Sequence, residues 1–86
     1  MASYNVLFTK SAAKELESVP TKDRHRIVAR IGALADDPRP MGAEKLSGDD
    51  KYRIRQGDYR ILYEIVDEVL VVTVVWIGNR RDVYRR

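Results

Sequence analysis

The chain has 86 residues, 44% of them hydrophobic and 34% charged, with a formal net charge of +3. That length holds one core, so a single domain over residues 1–86 is expected. There is no cysteine and one histidine, His25, which leaves no disulfide, no thiolate nucleophile and no Cys/His metal set; neither a metal nor a cofactor is expected. The opening Met1-Ala2-Ser3-Tyr4 lacks the basic and apolar regions of a signal peptide, and no apolar run approaches ~20 residues. A soluble cytoplasmic protein with no membrane contact is the expectation.

Tyr4 to Phe8 reads as a short strand rich in aromatic and β-branched residues. Thr9 or Ser11 then caps a helix whose apolar stripe is Ala12, Ala13, Leu16 and Val19. Pro20 ends it, and Thr21 is predicted to cap a second helix with the stripe Ile27, Val28, Ile31, Leu34 and Ala35. The short Val19-Pro20-Thr21 joint makes the two a helical hairpin. Asp36-Asp37-Pro38-Arg39-Pro40 stops the second helix, because a residue before proline avoids the helical region.

The second half changes period. Met41 to Leu46 reads as a loop with a short extended end. Lys51 to Gln56 alternates, Gly57-Asp58 is a turn, and Tyr59 to Val66 alternates again. A tight Asp67-Glu68 turn leads into an apolar strand over Val69 to Ile77, which Gly78-Asn79 is predicted to break. The expected fold is α+β: a leading strand, a helical hairpin, then an antiparallel meander with the helices on one sheet face.

The basic residues cluster. Lys51, Arg53, Arg55 and Arg60 stand against one acid, Asp58, and Arg80, Arg81, Arg85 and Arg86 against Asp82. Such clusters on a chain of mild net charge fit anion binding. A two-residue turn with glycine first suits type II′ geometry and sets Arg55 opposite Arg60 and Arg53 opposite Leu62. Tyr52, Ile54, Tyr59, Ile61, Tyr63 and Ile65 then form the core face, with the arginines on the other. Like charges directly opposite are destabilising by up to ~1 kcal/mol, so the pair calls for an anion. Three explanations stand: an internal acid such as Glu64, a ligand phosphate suited to guanidinium forks, or a longer turn and a different register. If the Asp67-Glu68 turn is tight, Trp76 lies beside Tyr59, and Arg80 emerges near Arg55 and Arg60. Tyr84, four residues on, reaches the same end. Lys22, Arg26 and Arg30 form a stripe on the second helix read as a solvated face. His25 has no acid partner, and Trp76 is read as core.

Pro38-Arg39-Pro40, Glu44-Lys45-Leu46-Ser47-Gly48, Tyr52-Arg53-Ile54-Arg55, Gly57-Asp58-Tyr59-Arg60-Ile61-Leu62-Tyr63-Glu64 and Ile77-Gly78-Asn79-Arg80-Arg81-Asp82-Val83-Tyr84 together resemble the RelE/ParE superfamily of type II toxin–antitoxin toxins. The likeness runs over nearly the whole chain and is closer to the RelE branch than to the gyrase-poisoning ParE branch.

The resemblance implies a RelE-like microbial RNase fold and a metal-independent endonuclease that cleaves messenger RNA in the ribosomal A site. There a 2′-hydroxyl attacks the adjacent phosphate, leaving a cyclic phosphate and a free 5′-hydroxyl. Carried over by position, Arg53 and Arg55 match the family's basic strand pair, Arg60 its hairpin arginine, Arg80 its late arginine and Tyr84 its C-terminal tyrosine. Arg55 and Arg60 are expected to orient the phosphate and stabilise its charge, Arg80 to stabilise the leaving oxygen, and Tyr84 to stack on a base or align the nucleophile. Lys45, Lys51, Arg53 and Arg81 are expected to add RNA-phosphate contacts. The general base is unassigned, since arginine stays protonated at neutral pH. The implied partners are the ribosome, messenger RNA and a cognate antitoxin that masks the basic surface, with operator DNA reached only through the antitoxin. A gyrase inhibitor and a catalytically inactive interaction module are the alternative functions.

Overall fold

The computed structural model describes residues 3–46 and 50–79. In chain order they form β1 (Asn5–Phe8), α1 (Lys10–Glu17), α2 (Thr21–Gly32), a 3-10 turn at Ala33–Ala35, β2 (Glu44–Lys45), β3 (Lys51–Gln56), β4 (Tyr59–Val66), a second 3-10 turn at Asp67–Val69, and β5 (Val71–Asn79). The sheet order is β1-β5-β4-β3-β2. Strands β2 to β5 pair antiparallel as the meander predicts, while β1 lies parallel to β5, so the sheet is mixed.

Local chemistry sets the hairpin of helices. Thr9 Oγ1 accepts from the Ala12 amide at 3.2 Å, capping α1 as expected. Pro20, not Thr21, is the N-cap of α2, and its carbonyl accepts the first helical bond from Arg24 at 2.8 Å. Proline suits this place because its fixed φ leads directly into a helix. Ile27, Ile31 and Leu34 are buried, but Val28 is 48% exposed. Its position, one residue round from Ile27, carries it off the predicted stripe.

Both helices cover one sheet face. Ile54, Ile61, Tyr63, Ile65, Val72, Val74 and Ile77 meet Ala12, Val19, Ile27, Ile31 and Leu34 there, and Tyr52 and Tyr59 pack at the margin. Among the described residues no helix is long and apolar enough to cross a membrane. The Tyr63 hydroxyl is buried and donates to the Pro38 carbonyl at 2.7 Å, tying the proline-rich stop segment to the centre of the sheet. Burial pushes its pKa up to about 12. Tyr63→Phe leaves that carbonyl unsatisfied and is expected to cost about 1–2 kcal/mol, read as a lowered urea midpoint with an unchanged slope.

The link from β4 to β5 departs from the prediction. A tight turn would set Val66 opposite Val69, whereas the 3-10 turn and a left-handed Leu70 (φ 54°) set it opposite Val71. A register shift between Leu62 and Tyr63 then adds one more residue, Val75, to β5. Trp76 therefore lies opposite Leu62, not Tyr59, and Gly78 and Asn79 continue the strand opposite Arg60 and Tyr59 instead of breaking it. The bulge also reverses the side-chain phase. Val72, Val74 and Ile77 are buried, while Trp76 is only partly so and stands on the opposite face from the helices.

An ion-pair cluster closes the end of the sheet away from Gly57. Arg39 donates to Asp67 through Nη2 at 2.9 Å and Nη1 at 3.3 Å, and through Nε to the Tyr52 hydroxyl at 3.0 Å. The Tyr4 hydroxyl donates to Asp67 Oδ1 at 2.6 Å. The hydrogen bonds from Arg39 and then Tyr4 hold the Asp67 carboxyl below its ordinary value. Because the folded pKa is the lower one, this contribution is present above about pH 4 and is lost as pH falls through the depressed value. Melting curves taken down from neutral pH should show that acid-side loss, and Asp67→Asn should lack it.

Candidate nucleic-acid interface

The Gly57 turn builds the site. Gly57 takes φ +60°, and no positive φ falls on Asp58, as type II′ geometry requires. The register is the one this turn predicts: Arg55 opposite Arg60, Ile54 opposite Ile61 and Arg53 opposite Leu62. Alternation sends Arg53, Arg55 and Arg60 to the sheet face that the helices leave open. Arg55 is exposed, and Arg53 and Arg60 are partly buried.

Two acids reach this face. Glu64 lies opposite Lys51 with an ion pair of 3.8 Å, at the end of β3 away from Arg55. Glu44 lies opposite Arg53 and pairs with its Nη2. The Arg53 hydrogen bond, followed by the charges of Arg53, Arg55 and Arg60, holds the Glu44 carboxyl below its ordinary value. The cluster remains short of partners even so. Among the described residues, the Nε atoms of Arg53 and Arg60 are the buried side-chain polar atoms with no hydrogen-bond acceptor. An unsatisfied donor of this kind normally costs on the order of 1–3 kcal/mol, and two on neighbouring guanidiniums mark a place for an anion.

On β5 the indole of Trp76 folds back over Gly78. A Cβ at Gly78 would stand 2.5 Å from the Trp76 ring, so only glycine lets the ring lie there. The indole thus fills the register position across from Arg60.

The expected site residues fall into three groups. Arg53, Arg55 and Arg60 come together, with Lys51 farther along the same face. Lys45 lies opposite Tyr52, on the helix-covered side, and is set apart from the cluster because β2 alternates as any strand does. Arg80, Arg81 and Tyr84 lie outside the described residues, although Asn79 ends β5 beside Tyr59 at the Gly57 end of the sheet. The Lys22, Arg26 and Arg30 stripe and His25 are on α2, across the sheet from the arginines. Sequence reasoning missed Glu44 and misplaced Trp76. The signals were faint: an acid in a two-residue strand, and a glycine two places after a tryptophan.

Comparison with known proteins agrees with this fold. Residues 6–84 match the family model described as the ParE toxin of the type II toxin–antitoxin system parDE. Toxin RelG of Mycobacterium tuberculosis is 33% identical over 87 residues, covering 96% of this chain and 98% of its own. The mRNA interferase toxin RelE of Escherichia coli K12 is 32% identical over 81 residues, covering 91% and 84%. Among solved structures, the Mycobacterium tuberculosis RelBE2 toxin–antitoxin complex matches with a TM-score of 0.80 and 28% identity, covering 91% of this chain and 99% of that one. The intact Escherichia coli RelBE complex matches at 0.81 and 25%, covering 90% and 96%. The chain is a toxin of a type II toxin–antitoxin system. It belongs to the RelE/ParE superfamily, where the relatives named above are toxins called RelG and RelE and RelBE complexes.

Proposed function

We propose that this toxin is a ribosome-dependent messenger RNA endonuclease that cleaves the codon in the A site by 2′-hydroxyl attack, with no metal cofactor. The observation that carries the reading is the Arg55–Arg60 cross-strand pair with an unpartnered, buried Arg60 Nε. Cleavage builds negative charge on the non-bridging and leaving oxygens, and fixed guanidiniums stabilise that charge without reorganising. In this reading Arg53, Arg55 and Arg60 hold the scissile phosphate, and Lys51 contacts a neighbouring phosphate. Arg80, Arg81 and Tyr84 come after Asn79 in the sequence, and in this reading they supply the remaining contacts to the substrate. The name of the Escherichia coli relative, an mRNA interferase, supports the reaction class. A cognate antitoxin covers the open basic face; the Mycobacterium tuberculosis RelBE2 and Escherichia coli RelBE structures are toxin–antitoxin complexes.

The family model's ParE name favours a second reading, inhibition of DNA gyrase. Primer extension on translated messages separates the two. New 5′ ends within codons, appearing only when ribosomes translate, are the expected result. DNA breaks with intact messages would mean gyrase poisoning, and neither outcome from folded protein would mean an inactive interaction module.

A further inference from the structure

A site made only of guanidiniums binds a phosphate but has no group to accept the 2′-hydroxyl proton, because arginine stays protonated at neutral pH. Among the described residues, Glu44 brings a carboxylate to that place. β2 sets Glu44 opposite Arg53 and Lys45 opposite Tyr52, so alternation sends Glu44 to the arginine face. Its Oε1 accepts from Arg53, its side chain is 58% exposed, and Oε2 takes no hydrogen bond from a described residue. Arg53 and Arg55 of β3 and Arg60 of β4 are the charges that act on it. Three other acids near the sheet are engaged elsewhere: Glu64 by Lys51, Asp67 by Arg39, and Glu15 by the Ile77 amide on the side of the helices.

We propose that Glu44 is the general base of the cleavage reaction, taking the proton from the 2′-hydroxyl beside the phosphate held by Arg53, Arg55 and Arg60. This rests on the endonuclease reading above. The 2′-oxygen bonds to phosphorus as its proton passes to the Glu44 carboxylate, and the bond from phosphorus to the 5′-oxygen of the next nucleotide breaks. The leaving 5′-oxygen takes a proton from water, and Glu44 later returns its proton to water. The products are a 2′,3′-cyclic phosphate and a 5′-hydroxyl, with no net change in protons.

The Arg53 pair keeps Glu44 ionised at neutral pH but lowers its basicity. Substrate relieves that restraint. Arg53 Nε is buried without a partner, and a phosphate drawn to that guanidinium competes with Glu44 for it. The carboxylate is released as the phosphate arrives.

The test is single-turnover cleavage of a defined message on programmed ribosomes, from about pH 4 to pH 8, with ribosome binding measured by co-sedimentation. Glu44→Gln should cleave roughly 10²–10⁴-fold more slowly and bind ribosomes as tightly as wild type or tighter, since it removes a negative charge. The wild-type rate should fall on the acid side, Glu44→Gln should lack that fall, and Glu44→Asp should give an intermediate rate. A wild-type rate in Glu44→Gln, or a slower rate that keeps the acid-side fall, overturns the assignment. So does a parallel loss of binding and cleavage, which would make Glu44 a clasp for Arg53. Wild type that binds ribosomes and leaves messages intact overturns the endonuclease reading and the base with it. Wild-type cleavage that Glu44→Gln matches removes Glu44 alone.

Discussion

Arg60→Ala is expected to cut message cleavage by about 10²–10³-fold while leaving the melting temperature unchanged or slightly raised. The two effects separate because Arg60 is on the open face, away from the core. Its removal takes a fork donor from the phosphate and also relieves the repulsion from Arg55 across the strand pair. Arg60→Lys keeps the charge but loses the planar fork, so its rate should lie between the two. Primer-extension yields and thermal melts on the same preparations measure both quantities. A wild-type rate in Arg60→Ala would remove Arg60 from the site.

Ile61→Ala should have the converse result. Ile61 is fully buried on the central strand, between Ile54 of β3 and Ile77 of β5. Truncation at such a site costs about 2–5 kcal/mol, against a total of roughly 4–13 kcal/mol for a chain of this length. The melting temperature should fall by roughly 10 to 30 °C. Cleavage per folded molecule, measured well below that temperature, should hold, because the neighbouring Arg60 faces the other way. Loss of activity in parallel with Arg60→Ala, at a temperature where circular dichroism shows the variant folded, would mean that the two faces are coupled.

Where one residue's preference decided the local geometry, the chain could be read directly. Gly57 selects the II′ turn, that turn sets Arg55 against Arg60, and the strict alternation of β3 and β4 separates arginines from core. Thr9 and the proline-rich stop after α2 behave likewise. What escaped was set by contacts distant in sequence. Nothing local announces that Val75 is accommodated as a bulge: β1 ends at Phe8, the Thr9 amide reaches the Val74 carbonyl, and Glu15 takes over the Ile77 amide farther along β5. Nor does a two-residue strand carry enough period to reveal that Glu44 meets Arg53. The tertiary environment assigned both, and both bear on the site more than on the core.

The extra residue in β5 has a consequence for how this chain tolerates insertion and deletion. Upstream of Val75, even-numbered positions point to the helices; downstream, odd-numbered ones do. Val74 already stands opposite Tyr63 and Trp76 opposite Leu62, with Val75 between them unpaired. Removing Val75 would therefore restore simple alternation, keeping Ile77 beneath the helices and Trp76 on the open face. Elsewhere in β4 or β5 the loss of one residue sets the two strands out of phase. The bulge is thus the place where this strand can give up a residue without exchanging the inside of the protein for the outside.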